Sequence, residues 1–111
     1  MRSIHGSIRL PSPQWFDDAV AIVGLDDVSK IDAPALRVAE TRVQSIRGVC
    51  DRIPFCLVVN EGSLTSHSYL LKAEVRRFGK NALAKGDFLT TIEFPWKKED
   101  KEDKILEVQE V

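Results

Sequence analysis

Apolar and polar positions along the chain alternate in short runs, each closed by turn-forming residues, and no stretch repeats convincingly at the helical period. In Ser3–Leu10, Ile4, Ile8 and Leu10 fall on one side and His5, Ser7 and Arg9 on the other. Pro11–Asp18 holds two prolines and three acidic or amide neighbours and reads as a loop. Ala19–Leu25 is apolar on both faces, as a central strand is. Leu36–Ile46 mixes Leu36, Val38 and Val43 with Glu40, Arg42 and Gln44, and its shift of parity predicts a half-exposed, bulged strand. Ile53, Phe55, Leu57 and Val59 make one face of a further strand, with Pro54 near its start, where proline is tolerated. Tyr69, Leu71, Ala73 and Val75 oppose Lys72, Glu74 and Arg76. The pattern puts Phe88, Thr90, Ile92 and Phe94 inward in the next strand, and Lys104–Val111 closes the chain as the last. A short helix fits Asn81–Gly86, where Ala82, Leu83 and Ala84 favour one.

These elements predict an all-β domain spanning residues 1–111, a seven- to eight-stranded immunoglobulin-like β-sandwich, with a small closed β-barrel as the alternative. A chain of this length buries roughly 65% of its extended surface, enough for a core without metals or staples. Sixteen basic against seventeen acidic residues leave a net charge of −1, so no global attraction draws it to nucleic acid or an anionic membrane. No window approaches a membrane-spanning helix and the start shows no signal-peptide run, so the chain as written reads as cytoplasmic. Cys50 and Cys56, six positions apart on an extended chain, would lie roughly 18–20 Å apart and are expected to be free thiols.

Candidate chemistry is sparse. Val23–Ala35 concentrates Asp26, Asp27, Asp32 and Ser29. Neighbouring side chains on a strand point to opposite faces, so Asp26 and Asp27 do not converge on a cation; turn chemistry onto nearby backbone N–H groups accounts for them better. His5 and His67 lack metal-ligand spacing to each other or to a cysteine, and neither cysteine sits in a nucleophile turn. The balanced run Lys97–Lys104 reads as a solvated loop. Gly79 and Gly86 are predicted at turns with positive φ. Around them Arg76, Arg77, Lys80 and Lys85 form either a solvated basic face or a patch for an acidic partner. Trp15 and Phe16 have two readings: an exposed aromatic anchor, or a plug folded under the loop.

The order of these elements resembles small bacterial lipoprotein domains, the type III secretion lipoprotein chaperones or pilotins, together with uncharacterised envelope lipoproteins of the same fold. The likeness rests on Leu10-Pro11, Leu25–Ser29, Asp32–Pro34, Ala39-Glu40, Ile53–Phe55 and Tyr69, and it covers nearly the whole chain. It implies a β-sandwich with no catalytic activity or cofactor, whose characterised members pilot a secretin subunit to the outer membrane. This chain shows no lipobox cysteine near Met1, and its Arg77–Asp87 loop keeps only Asp87 where some similar sequences carry an acidic, glycine-rich segment.

The leading expectation is therefore a non-enzymatic, chaperone-like protein-binding domain of the pilotin type. Its partner would be a secretion-system component, bound through a strand edge or apolar groove. Trp15 and Phe16 are the expected contacts, with Arg76 and Arg77 as a charged rim. An envelope location, periplasmic or at the outer membrane, would require a lipidated leader that this chain lacks as written. A homodimer through edge strands is compatible with the same sequence. The alternatives are a cytoplasmic immunoglobulin-like interaction module with another partner, and a small thiol-dependent enzyme using Cys50 and Cys56.

Overall fold

The computed structural model describes residues 1–79 and 82–111. Among the described residues there are seven strands: β1 (Arg2–Asp27), β2 (Leu36–Val59), β3 (Tyr69–Arg76), β4 (Phe88–Leu89), β5 (Phe94–Trp96), β6 (Lys104–Glu107) and β7 (Gln109–Glu110). They form one hydrogen-bonded sheet in the order β2-β1-β3-β4-β7, with β5 also on β3 and β6 lying parallel to β1. The path is open, so the closed-barrel alternative is not the fold.

The two long strands fold this sheet over on itself. The first third of β1, Arg2–Arg9, pairs with Arg52–Val59 of β2, and its Gly6–Arg9 part lies between β2 and β6. Its last third, Val20–Asp27, lies between Leu36–Val43 of β2 and β3. Ile4, Ile8, Ile53, Phe55 and Leu57 from the first layer join Val23, Leu25, Leu71, Val75 and Phe88 from the second in one buried core. The result is a sandwich whose two layers share strands.

Pro11–Asp18, expected as a loop, instead stays within β1. Its prolines fall where the β1–β2 register is interrupted, between Arg9 and Gln14, so their missing N–H groups cost no ladder bond. Further register shifts on β1 between Phe16 and Ala21 face Ser45 and Gly48 of β2, both with positive φ (56° and 86°). Such bulges bend and twist a strand pair without ending it. For the same reason Leu36–Ile46 and Ile53–Val59 merge into one strand.

Phe88–Phe94 departs from expectation in the other direction. Leu89 pairs with Glu74 and Phe94 with Leu71, so five steps on one strand answer three on the other. The surplus loops outward and leaves Ile92 63% exposed rather than inward. The last strand divides into β6 and β7 at Val108, whose N–H donates to the Arg9 carbonyl (3.2 Å). β6 thus closes the first layer on β1 and β7 extends the second on β4. Of the short helix expected at Asn81–Gly86, Asn81 lies outside the described residues, and Ala82–Gly86 are bend and turn. Gly79 and Gly86 do take positive φ, at 64° and 96°. Among the described residues no helix is long and apolar enough to cross a membrane.

Candidate protein-binding surface

The bend in β1 builds a corner from residues far apart in sequence. Adjacent strand residues point to opposite faces, and the aromatic pair obeys this: Phe16 is fully buried while Trp15 is 62% exposed. Phe16 meets Phe88 edge-on, with ring centroids 6.3 Å apart. It is a core residue and drops out of the expected contact surface. Trp15 stands opposite Val49 of β2, itself 71% exposed, so the two form an apolar cross-strand pair on the outer face.

Arg77 holds this corner together. Its guanidinium lies 5.0 Å from the Phe16 ring centroid and 5.7 Å from that of Phe88. It donates through Nη1 to the Trp15 carbonyl (2.9 Å), through Nη2 to Gln14 Oε1 (3.0 Å) and through Nε to the Gly86 carbonyl (3.3 Å). Its backbone N–H donates to Asp87 Oδ1 (2.8 Å), and the Ala84 N–H donates to Oδ2 (2.9 Å) of the same buried carboxylate. Arg77 is thus a clamp between the β1 bend and the Ala84–Asp87 turn, not a free charge on a rim. Arg77 was expected on a charged rim; the signal in the sequence for its actual place is that it shares the parity of the inward set Tyr69, Leu71, Ala73 and Val75. Arg76 faces the other way and is half-buried against Glu74 (Nε to Oε2, 3.0 Å). Of the basic cluster, Lys85 is exposed and Lys80 lies outside the described residues. Phe78, next to the clamp in the chain, is 71% exposed.

The acidic stretch performs structural work. Asp26, 5% exposed, accepts from Arg37 through both oxygens (2.6 and 3.3 Å), with Lys72 Nζ at 3.5 Å. This pairing raises the Arg37 pKa, with the Asp26 hydrogen bond as the largest cause. Asp27 accepts from Ser29 Oγ (2.6 Å), Ser66 Oγ (2.6 Å) and the Ser29 N–H (2.9 Å), tying the end of β1 to the turn that leads into β3. Those bonds, Ser29 first, hold its carboxyl below the ordinary range. Among the described residues no group of His, Cys, Asp and Glu is placed to hold a metal.

Cys50 and Cys56 are both free. Partial burial, then the Asp51 charge, pushes the Cys50 thiol upward, the opposite of an activated nucleophile. In the Lys97–Lys104 run, Asp100 accepts from the Lys97 N–H (3.1 Å) and Lys104 Nζ (3.2 Å). Arg2 donates to the Lys98 and Asp100 carbonyls while lying 4.9 Å from the Trp96 ring centroid. A groove of about 300 Å³ opens above Tyr69 and Trp96, with exposed His67 and Lys97 at its rim.

No family model and no curated protein matches the chain. Among solved structures, the fold is similar to an alternative pilotin from the type II secretion system of Vibrio cholerae. The TM-score is 0.76 at 25% sequence identity, over 99% of this chain and 96% of that one. The pilotin likeness read from the sequence therefore has a structural counterpart, but in a type II rather than a type III system.

Proposed function

We propose that this chain is a non-enzymatic, pilotin-like binding domain that engages a protein of a secretion system in the bacterial envelope. The observation that carries the reading is the end-to-end fold likeness to a pilotin. The sequence resemblance supplies the partner, a secretin subunit. The Trp15–Val49 pair is the proposed contact. An exposed tryptophan on a rigid, twice-anchored strand loses little conformational freedom on docking, and such residues are the usual energetic centres of interfaces. Arg77 acts here as a positioning residue, because it fixes the backbone beneath Trp15 without presenting its own charge.

The test is co-purification of the outer-membrane secretin of the native host with the tagged chain, followed by titration of the purified pair. Binding by the wild-type chain is expected, and Trp15→Ala should cost about 2 kcal/mol, roughly 30-fold in Kd. Its unfolding midpoint should stay within error of wild type. Failure of the wild-type chain to capture the secretin would remove the function. Capture undiminished in Trp15→Ala would keep the function and move the contact elsewhere.

A further inference from the structure

We infer that the first half of β2 is a self-association edge, and that a second copy of this chain pairs with it antiparallel about a two-fold axis at Thr41. Among the described residues β2 pairs only with β1, so one side of its backbone has no strand partner along Leu36–Val59. The two halves of that edge differ. In the second half the inward side chains Ile53, Phe55, Leu57 and Val59 are all at most 5% exposed, and Pro54 has no N–H to offer. In the first half Val38, Ala39, Val43 and Ile46 pack on the core but are only partly buried, as though the layer stopped one strand short.

Ala39–Val43 pairs with Leu25–Ala21 of β1 without a register shift. It carries no proline, no lysine and no inward charge, the usual devices that keep an edge from pairing. Its outward charges, Glu40 and Arg42, are 39% and 51% exposed.

Symmetry narrows the register. In a two-fold antiparallel pair that continues the sheet, residues directly opposite must point to the same face, so the axis passes through a residue. An axis at Glu40 would set Glu40 against Glu40 of the partner subunit, and an axis at Arg42 would set arginine against arginine. An axis at Ala39 or Val43 leaves the charges without opposite partners. At Thr41, Glu40 meets Arg42 of the partner subunit and Arg42 meets Glu40 of the partner subunit, while Ala39 and Val43 meet across the inner face. Opposite charges directly across a strand pair stabilise it and like charges oppose it. The contact is short, in the class under about 1,200 Å² that gives weak, reversible association.

Sedimentation of the wild-type chain from about 10 μM to about 1 mM should show a reversible monomer–dimer equilibrium, as weak interfaces of this class do. Glu40→Arg and Arg42→Glu should each sediment as monomers across that range. An equimolar mixture of the two should recover a dimer, because each then opposes the other's charges, and the double exchange E40R/R42E should recover it alone. A second measurement is independent of the charge variants. In a Cys50→Ser/Cys56→Ser background, Thr41→Cys should oxidise to a disulfide dimer faster than Gln44→Cys, because only the axis residue meets its own copy at about 4.5–5.5 Å between Cα atoms. A wild-type chain monomeric at the highest concentration would overturn the inference. So would a folded mixture that stays monomeric, or equal cross-linking at positions 41 and 44.

Discussion

Gly24 and Arg37 give a prediction whose size follows from one contact. A Cβ at Gly24 would overlap the Arg37 guanidinium, which lies across β1 to reach Asp26. The backbone of Gly24 is not among the positive-φ glycines, so alanine is conformationally acceptable there and only the guanidinium stands in the way. Gly24→Ala must therefore push Arg37 aside and break its two bonds to a carboxylate that is 7% exposed. Charged hydrogen bonds of this kind are worth about 1.5–3 kcal/mol. Arg37 is itself 36% exposed, so solvent screening and the remaining Lys72 partner reduce the loss to about 1–2 kcal/mol. Losing a glycine's unfolded-state freedom returns about 0.4–1 kcal/mol, which leaves a net destabilisation of about 1 kcal/mol. In an Arg37→Ala background the obstruction is gone and Gly24→Ala should stabilise by about 0.4–1 kcal/mol. The four proteins of this cycle, unfolded in urea, should show a coupling of about 1–2 kcal/mol. Additivity within about 0.3–0.5 kcal/mol, the scatter of independent sites, would refute the account.

Arg77→Lys should destabilise the domain by about 1–3 kcal/mol, the price of leaving carbonyl acceptors at Trp15 and Gly86 without the planar fork, as read by thermal unfolding; a change within error would show that the clamp is dispensable. For Asp27, serine hydrogen bonds depress the folded pKa below the ordinary 3.8, so its stabilisation is complete above that value and lost as pH falls beneath it. Asp27→Asn should therefore melt below wild type near neutral pH, with the gap closing as pH falls through and below 3.8; a gap that keeps its size throughout would contradict this.

What could be read in advance depended on whether a side chain's fate was decided by its neighbours in sequence or by a distant strand. Ile53–Val59 and Tyr69–Val75 were legible because alternate burial is written into the period of the strand itself, and each predicted inward residue there is buried. Ala19–Leu25 was legible for a related reason. Ile22, on its outer face, is 2% exposed, between cross-strand neighbours Arg42 and Glu74. Pro11–Asp18 was not legible, because its prolines and aspartates are turn formers locally, while the pairing that keeps it extended lies more than thirty residues away on β2. The Arg77 clamp sits between these cases. Its parity matches the inward set, yet with Arg76, Lys80 and Lys85 nearby in sequence it was expected on a charged rim. Its two backbone acceptors, a strand carbonyl and a turn carbonyl, have no sequence signature at all.

The same distinction explains why Trp15, rather than the carboxylates, is the proposed contact. Asp26, Asp27 and Asp87 each have their oxygens occupied by named donors, and those bonds account for their presence through the fold alone. Trp15 has no such account. The fold uses its carbonyl, which any residue supplies, and Phe16 fills the core beneath it. Among the described residues the indole has no hydrogen-bond partner, and it spreads most of its surface into solvent beside Val49. A serine at position 15 would serve the architecture as well, so Trp15→Ser should keep the stability of the wild type within about 0.5 kcal/mol, the range of surface changes that touch no structural feature. If it falls well outside that range, the indole belongs to the fold and is not a binding anchor.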